Sequence, residues 1–273
     1  MPANQLELTV LGSGTSMGVP TLGCHCAVCS STDPHDKRTR PSILLSRTDN
    51  GIDHGVIYKD NVVIDTTPDF RFQALRAGID RLDAVVFTHA HADHILGFDD
   101  IRPYNMRQKM AMPVYASDAT IATLRRTFAY VFEPAPAGTL IPEVTLHPIH
   151  GPFELLGTTF TPIPAEHGPV QVFGFRVGRM AYLTDFGRLP DSSKALLGDL
   201  DDFILDALRD EPHPMHQSVE QAVALARELR PRRAWFTHIA HDLPHAATNA
   251  RLAAMGLPNV QLAYDGLRFE VRI

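Results

Sequence analysis

Four side chains able to bind a metal fall within six positions of this sequence: His89, His91, Asp93 and His94, in Thr88-His89-Ala90-His91-Ala92-Asp93-His94. They follow an apolar run at residues 84–87. In an extended chain residues i and i+2 point the same way, so His89 and His91 converge on one point; a helix starting next carries Asp93 and His94 to a second side. Imidazole with carboxylate suits zinc, iron or manganese, and four such groups at one strand end suit two adjacent cations. Two cations need further ligands. His167 in Glu166-His167-Gly168, Asp185 after the apolar run 180–184, and His238 in Phe236-Thr237-His238 each border an expected strand. Taken singly, each is what an ordinary turn or cap uses. Together with residues 89–94 they form a coherent set that can meet at one sheet edge, with the Asp185 carboxylate able to bridge two ions. Asp65, at the end of the run 62–65, is expected to orient a ligand histidine.

Cys24, Cys26 and Cys29 are the three cysteines of the chain. An odd number this crowded is a poor disulfide framework, whereas thiolates at C-x-C-x2-C spacing suit one soft or borderline metal with a fourth ligand from elsewhere.

The elements that must present these groups can be read from the pattern. Residues 6–11 are an apolar, partly alternating strand that stops at the tight turn Gly12-Ser13-Gly14. Residues 12–41 lack periodicity and form a long loop ordered by its metal. Strands are expected at 42–46, 55–59, 62–66, 84–88, 113–116, 172–177, 180–184, 202–206, 234–237, 260–263 and 267–271. Helices are expected at 69–77, 91–97, 118–129 with Asp118 as N-cap, 218–229 capped by Ser218, and 246–254. The stretch 134–164 is rich in Pro and Gly and holds only short strands. Alternating strands and helices, with a hairpin around Gly178-Arg179, predict two mixed sheets packed face to face with helices outside, in one α/β domain over 1–273. Phe87-Thr88-His89-Ala90-His91 and Phe236-Thr237-His238-Ile239-Ala240-His241 look like a weak internal duplication.

Composition narrows the class. The chain has 273 residues, 44% of them hydrophobic, which suits a large folded core and excludes wholesale disorder. With 25 Lys+Arg against 31 Asp+Glu the net charge is −6, a poor footprint for a nucleic-acid coat. MPANQLELTV shows no basic-then-apolar leader and no run reaches membrane-span length, so a cytoplasmic protein without membrane contact is expected.

The motif at residues 88–94 resembles the signature of the metallo-β-lactamase-fold hydrolases. Leu11-Gly12-Ser13-Gly14-Thr15-Ser16 running into Gly23-Cys24-His25-Cys26-Ala27-Val28-Cys29 is similar to the PhnP-type cyclic phosphodiesterase branch. So are Ile64-Asp65-Thr66-Thr67-Pro68-Asp69-Phe70-Arg71 and Thr237-His238-Ile239-Ala240-His241-Asp242. The likeness runs from about residue 6 to about residue 268. It implies an αββα sandwich with a dinuclear site at the edge between the sheets. His89, His91 and His167 would hold one ion, Asp93, His94 and His238 the other, and Asp185 would bridge. Cys24, Cys26, Cys29 and His241 would hold a structural zinc in the loop at about 12–41, in preference to a set using His25. His216 matches the family's candidate proton donor, with His213 its rival, and Asp93 joins His216 as a candidate catalytic residue. The remaining histidines, His25, His35, His54, His147, His150 and His245, are expected to be structural or at the surface. A homodimer is also implied.

The chemistry expected of such a set is hydrolysis of a small or cyclic phosphodiester. Two divalent ions (Mn, Zn or Fe) about 3.5–4 Å apart would bridge a water and lower its pKa towards neutrality. The resulting hydroxide attacks phosphorus, and a His general acid protonates the leaving alkoxide. Arg71, Arg102, Arg107 and Lys109 are possible phosphate contacts, though a solvated surface charge is the simpler reading of each. The alternatives are a lactonase, a thioesterase or an RNA-processing nuclease of the same fold, or a non-catalytic metal-binding accessory protein. The nuclease would need a basic arm that is absent from the sequence. The accessory protein would show a broken ligand set.

Overall fold

The computed structural model describes residues 5–53, 56–134, 136 and 138–273. His54, and Gly55 at the start of the expected strand 55–59, lie outside the described residues.

The chain builds β1 (Gln5–Gly12), β2 (Ser42–Asp53), β3 (Val56–Ile64), α1 (Phe70–Ala77), β4 (Ala84–Val86), α2 (Ala92–Ile95), α3 (Arg102–Gln108), β5 (Met112–Ala116), α4 (Asp118–Thr127), α5 (Ala129–Phe132) and β6 (Val144–Pro148). It continues with β7 (Phe153–Leu155), β8 (Thr158–His167), β9 (Val170–Val177), β10 (Met180–Leu183), α6 (Asp191–Lys194), β11 (Asp202–Asp206), α7 (Val219–Leu229), β12 (Arg233–Thr237), α8 (His245–Ala254), β13 (Val260–Leu262) and β14 (Arg268–Arg272). Two seven-stranded mixed sheets result, ordered β14-β1-β2-β3-β4-β5-β6 and β13-β12-β11-β10-β9-β8-β7.

Three apolar layers explain the strand sequences. Leu6, Leu8, Val10, Ile43, Leu45 and Val86 of the first sheet pack on Phe160, Phe175, Tyr182 and Ile204 of the second. The alternate residues Leu44, Val63 and Val85 face outwards onto Phe70, Ala74 and Leu124 of the helices. Phe203 and Leu205 likewise meet Val219, Ala222 and Val223 of α7. Strands covered on both faces read as continuous apolar runs, which is why 84–86 and 202–206 show so little alternation.

Several elements depart from the sequence reading. The strands expected at 55–59 and 62–66 belong to one strand, β3. Helix α4 is capped by Ser117, not Asp118: the Ser117 side chain accepts from Thr120 N at 3.2 Å, and Asp118 is already in the first turn. The Pro-rich stretch holds two short strands, β6 and β7, as expected, and ends in the first seven residues of a longer one, the ten-residue β8. Its prolines fit because β7 pairs only as far as Phe160; Pro162 and Pro164 lie beyond, where one side of β8 has no ladder to feed.

Within the loop between β1 and β2, a buried Arg38 donates to Ala240 O (2.9 Å) and Leu243 O (2.6 Å) and pairs with Asp36 (3.1 Å). Thr15 N also donates to Ile239 O and Ile239 N to Ser13 O. The loop is thereby fastened to the segment just after β12. Gly12 is required there, because a Cβ would lie 1.9 Å from Arg40 O.

Candidate metal centre

Strands β3, β4, β8, β10, β11 and β12 run in a common direction within their sheets, and their C-terminal ends carry the candidate ligands. That is where open α/β sheets place their sites. Asp65 follows β3, His89 lies just past β4, His167 ends β8, Asp185 lies two residues past β10, Asp206 ends β11 and His238 follows β12. Asp65, Asp185 and His238 have φ of 68°, 55° and 59°. Left-handed backbone at a non-glycine residue costs about 1–3 kcal/mol and persists only where surrounding contacts hold it. Ser42 Oγ, donating to both Ile64 O and Asp65 O, is one such contact.

The structure brings the expected ligands together in two groups. His89, His91 and His167 can each offer an atom within 4.8 Å of the others, and so can Asp93, His94, Asp185 and His238. Asp185 meets His238 Nε2 at 3.1 Å and His94 Nε2 at 3.3 Å. Asp93 Oδ2 is 3.3 Å from His94 Nε2 and 3.8 Å from His238 Nε2. The ring of His89 lies 4.1 Å from that of His94, joining the groups.

The imidazoles are held by their far nitrogens. His94 Nδ1 donates to Asp65 Oδ2 at 2.7 Å. The Thr88 hydroxyl donates to Asp65 (2.7 Å) and so can accept from His89 Nδ1 (3.0 Å). His167 Nδ1 donates to Met215 O at 2.8 Å. Anchoring Nδ1 aims Nε2 into the cluster. There the buried Nε2 atoms of His89, His94 and His238 have no hydrogen-bond partner among the described residues. Unsatisfied imidazole nitrogens beside two carboxylates, with the rings of His89 and His94 fixed from behind, are what bound divalent zinc, manganese or iron requires.

Electrostatics agree. Burial, with His94 beside it, holds His89 well below the usual imidazole pKa. At His94 and His238 burial is outweighed: Asp185, Asp65 and Asp93 raise His94 well above its usual range, and Asp185 with Asp93 pushes His238 up to about 10. Despite its own burial, Asp185 is held far below the usual carboxylate range by His238 and His94. The carboxylates therefore concentrate affinity for positive charge at one point, where protons and metal ions compete.

Cys24, Cys26, Cys29 and His241 form a separate cluster within 4.8 Å of one another. His241 Nδ1 is 3.3 Å from Sγ of both Cys24 and Cys26, while His25 is exposed. The Cys26 thiol is lowered to about 6, chiefly by the Cys29 N–H donating to it and then by His241.

His216 stands against the ligand set, its ring 4.7 Å from His167 and stacked 4.5 Å from His238. His213 lies further out, 5.0 Å from His216, and its Nδ1 accepts from Met215 N. Asp206, which takes His216 Nδ1 at 2.8 Å, was not expected from the sequence, nor were Thr88 and the Met215 carbonyl. The signal for Asp206 was its place at the end of an apolar run, shared with Asp65. Arg71, Arg102 and Arg107 line a groove between α1 and α3 that shares no residue with the centre, and Lys109 caps α3.

Two mixed sheets with helices outside, carrying this cluster at one edge, define a metal-dependent hydrolase of the metallo-β-lactamase fold. Residues 60–239 match the beta-lactamase superfamily domain, and the chain belongs to that superfamily and, within it, to the PhnP family. It is similar to the crystal structure of a new diphosphatase from the PhnP family, with 47% identity, a TM-score of 0.87 and 98% of each chain covered. It is 38% identical over 265 residues to an octanoyltransferase of Porphyromonas gingivalis, covering 96% of this chain but 51% of that one; it thus spans about half the length of that relative. Zinc-bound PqqB from Methylobacterium extorquens shares the fold at 18% identity and a TM-score of 0.74, with 97% of this chain and 100% of that one covered. Among the described residues no helix is long and apolar enough to cross a membrane.

Proposed function

We propose that the chain is a phosphodiesterase acting on a small or cyclic phosphodiester, with His89, His91 and His167 holding one divalent ion, Asp93, His94 and His238 a second, and Asp185 shared. The observation that carries this reading is His216, an imidazole anchored at Nδ1 and stacked on His238 beside the ligand set. Divalent ions so held would supply positive charge for the phosphoryl oxygens and acidify water near neutral pH. What the chain itself adds is a proton. The leaving group of an alkyl phosphodiester is an alkoxide, too basic to depart unaided, and His216, bonded to Asp206 through Nδ1, has Nε2 left over for that proton transfer. Cys24, Cys26, Cys29 and His241 would hold a zinc that steadies the loop against the segment after His238.

A second reading, hydrolysis of a diphosphate, is favoured by the 47% identical PhnP-family diphosphatase. Its leaving group is already acidic and makes less use of His216. The deciding experiment strips the protein with chelator and reloads it with zinc or manganese. The products are then assayed on bis(4-nitrophenyl) phosphate, 2′,3′-cyclic nucleotides, a dinucleoside diphosphate, a lactone and an octanoyl thioester. Metal-dependent turnover of the diesters alone is the expected result. Turnover of the diphosphate in preference supports the second reading, and lactone or thioester cleavage without phosphodiester cleavage overturns both.

A further inference from the structure

We propose that Asp206 is a positioning residue that serves two imidazoles at once, keeping Nδ1 of both His216 and His238 protonated so that both Nε2 atoms face the metal centre. The part concerning proton donation rests on the phosphodiesterase reading; the part concerning the two rings does not.

Asp206 is fully buried at the end of β11. Its Oδ2 accepts from His216 Nδ1 at 2.8 Å and from the backbone N–H of Phe186 at 3.2 Å. Its Oδ1 faces His238 Nδ1 at 4.0 Å, and neither of those two atoms has a hydrogen-bond partner among the described residues. The two rings are stacked 4.5 Å apart with only 12° between their planes. Two parallel imidazoles thus turn the same nitrogen towards one carboxylate. Which nitrogen of a histidine carries the proton is set by what the other end bonds, and a carboxylate can only accept. The 2.8 Å bond fixes His216 with hydrogen on Nδ1. We extend this to His238, whose Nδ1 faces the free oxygen of the same carboxylate at 4.0 Å, beyond hydrogen-bond distance in this structure. For His238 this leaves the Nε2 lone pair free for a metal beside Asp185. For His216 it means that the proton given to a leaving group comes from Nε2, and that Nδ1–H remains bonded to Asp206 before and after.

An amide in place of the carboxylate presents one acceptor and one donor, so in Asp206→Asn one of the two rings must face an NH2 group. The test reads the rings directly, by nitrogen-15 spectra of histidine-labelled, zinc-loaded protein. In the wild type both His216 and His238 should report a protonated Nδ1. In Asp206→Asn at least one of them should lose it, while His94, held by Asp65, stays unchanged. A neutral wild-type His216 protonated only at Nε2 overturns the proposal, even if the variant does not fold. So does an Asp206→Asn spectrum in which both rings are unaltered. Zinc stoichiometry at saturation should be the same in both proteins; loss of one equivalent would make Asp206 a ligand and also overturn it.

In kinetics, Asp206→Asn should lower kcat by about 10²-fold for diesters with alkyl leaving groups, with KM little changed, and far less for 4-nitrophenyl diesters. The Asp206→Asn, His216→Ala double variant should lose far less relative to His216→Ala than Asp206→Asn loses relative to wild type, the remainder being what Asp206 contributes through His238. If the zinc-loaded wild type cleaves no phosphodiester, the proposed function fails, and the ring spectra still decide the role of Asp206.

Discussion

Asp65 and Asp206 hold corresponding places in the two sheets. Each stands at the C-terminal end of a strand beside one that leads into Thr-His, and each takes the Nδ1 of an imidazole, His94 at 2.7 Å and His216 at 2.8 Å. The likeness between Phe87-Thr88-His89 and Phe236-Thr237-His238 thus extends to a partner from the neighbouring strand. The copies differ in use: Asp65 backs a candidate metal ligand, Asp206 a candidate acid.

Replacing Asp65 by Asn should weaken metal binding by about 10–100-fold, because the single amide oxygen cannot accept at both positions where Thr88 N on one side and Thr88 Oγ1 with His94 Nδ1 on the other find an acceptor in Asp65. Zinc titration against a competing chelator measures this. Wild-type affinity in the variant would show that His94 is oriented by packing alone.

His216→Ala should slow hydrolysis of an alkyl phosphodiester by about 10²–10⁴-fold, with a much smaller effect on a nitrophenyl diester whose leaving group needs no proton. His213→Ala should keep the wild-type order of magnitude on both, since its ring lies outside that of His216 and its Nδ1 is taken up by a backbone N–H. The opposite ranking would exchange the two roles.

Acid should weaken the metal-free cysteine cluster. The Cys26 thiol sits at about 6 in the folded protein against 9.0 as its ordinary value. A group whose pKa is depressed on folding gives its full stabilisation above the ordinary value and loses it as pH falls towards the folded one. The melting temperature of the chelator-stripped protein should therefore fall as pH drops from 9.0 to about 6, and Cys26→Ser should flatten that decline. Melting curves of both stripped proteins across this range test this, and equal slopes would contradict it.

His245 should add a second acid-sensitive step. Burial, then the charges of His35 and Arg38, lowers it to about 4, and its Nε2 is turned to the Asn249 amide at 3.0 Å. Between pH 6.5 and 4 the unfolded chain binds a proton there that the folded chain refuses, so stability should decline as pH falls through that window. Denaturant unfolding of His245→Gln, whose side chain carries no such proton, should show a flatter decline. A slope equal to wild type would place the acid sensitivity elsewhere.

The candidate ligand set was legible for a physical reason: residues 89–94 are adjacent in the chain, and Asp185 and His238 each stand directly beyond an apolar run, while His167 stood out only as one member of the set. Their supports were not. Asp202 and Asp206 bracket the same strand and look alike in sequence. Yet Asp202 pairs with Arg233 and Trp235 at one end while Asp206 meets two histidines at the other, a distinction that only strand direction makes. The Met215 carbonyl that holds His167 is a backbone group and carries no residue signature at all. Arg71, Arg102 and Arg107 have the right charge for phosphate, but charge alone does not say which helix face will bear it. In β8 the prolines masked a strand that, beyond Phe160, is paired along its length only with β9.

Cys24 and His241 are separated by 217 positions in sequence, yet their ligand atoms lie 3.3 Å apart. An ion gripping both converts nearly the whole chain into a closed ring. Tying off a loop of that size removes chain entropy worth roughly 5 kcal/mol from the denatured ensemble, on the scale used for disulfide cross-links. For this molecule a chelator would therefore act like a reducing agent on a secreted protein. It opens the ring, and refolding must then start from a search over a far wider set of conformations.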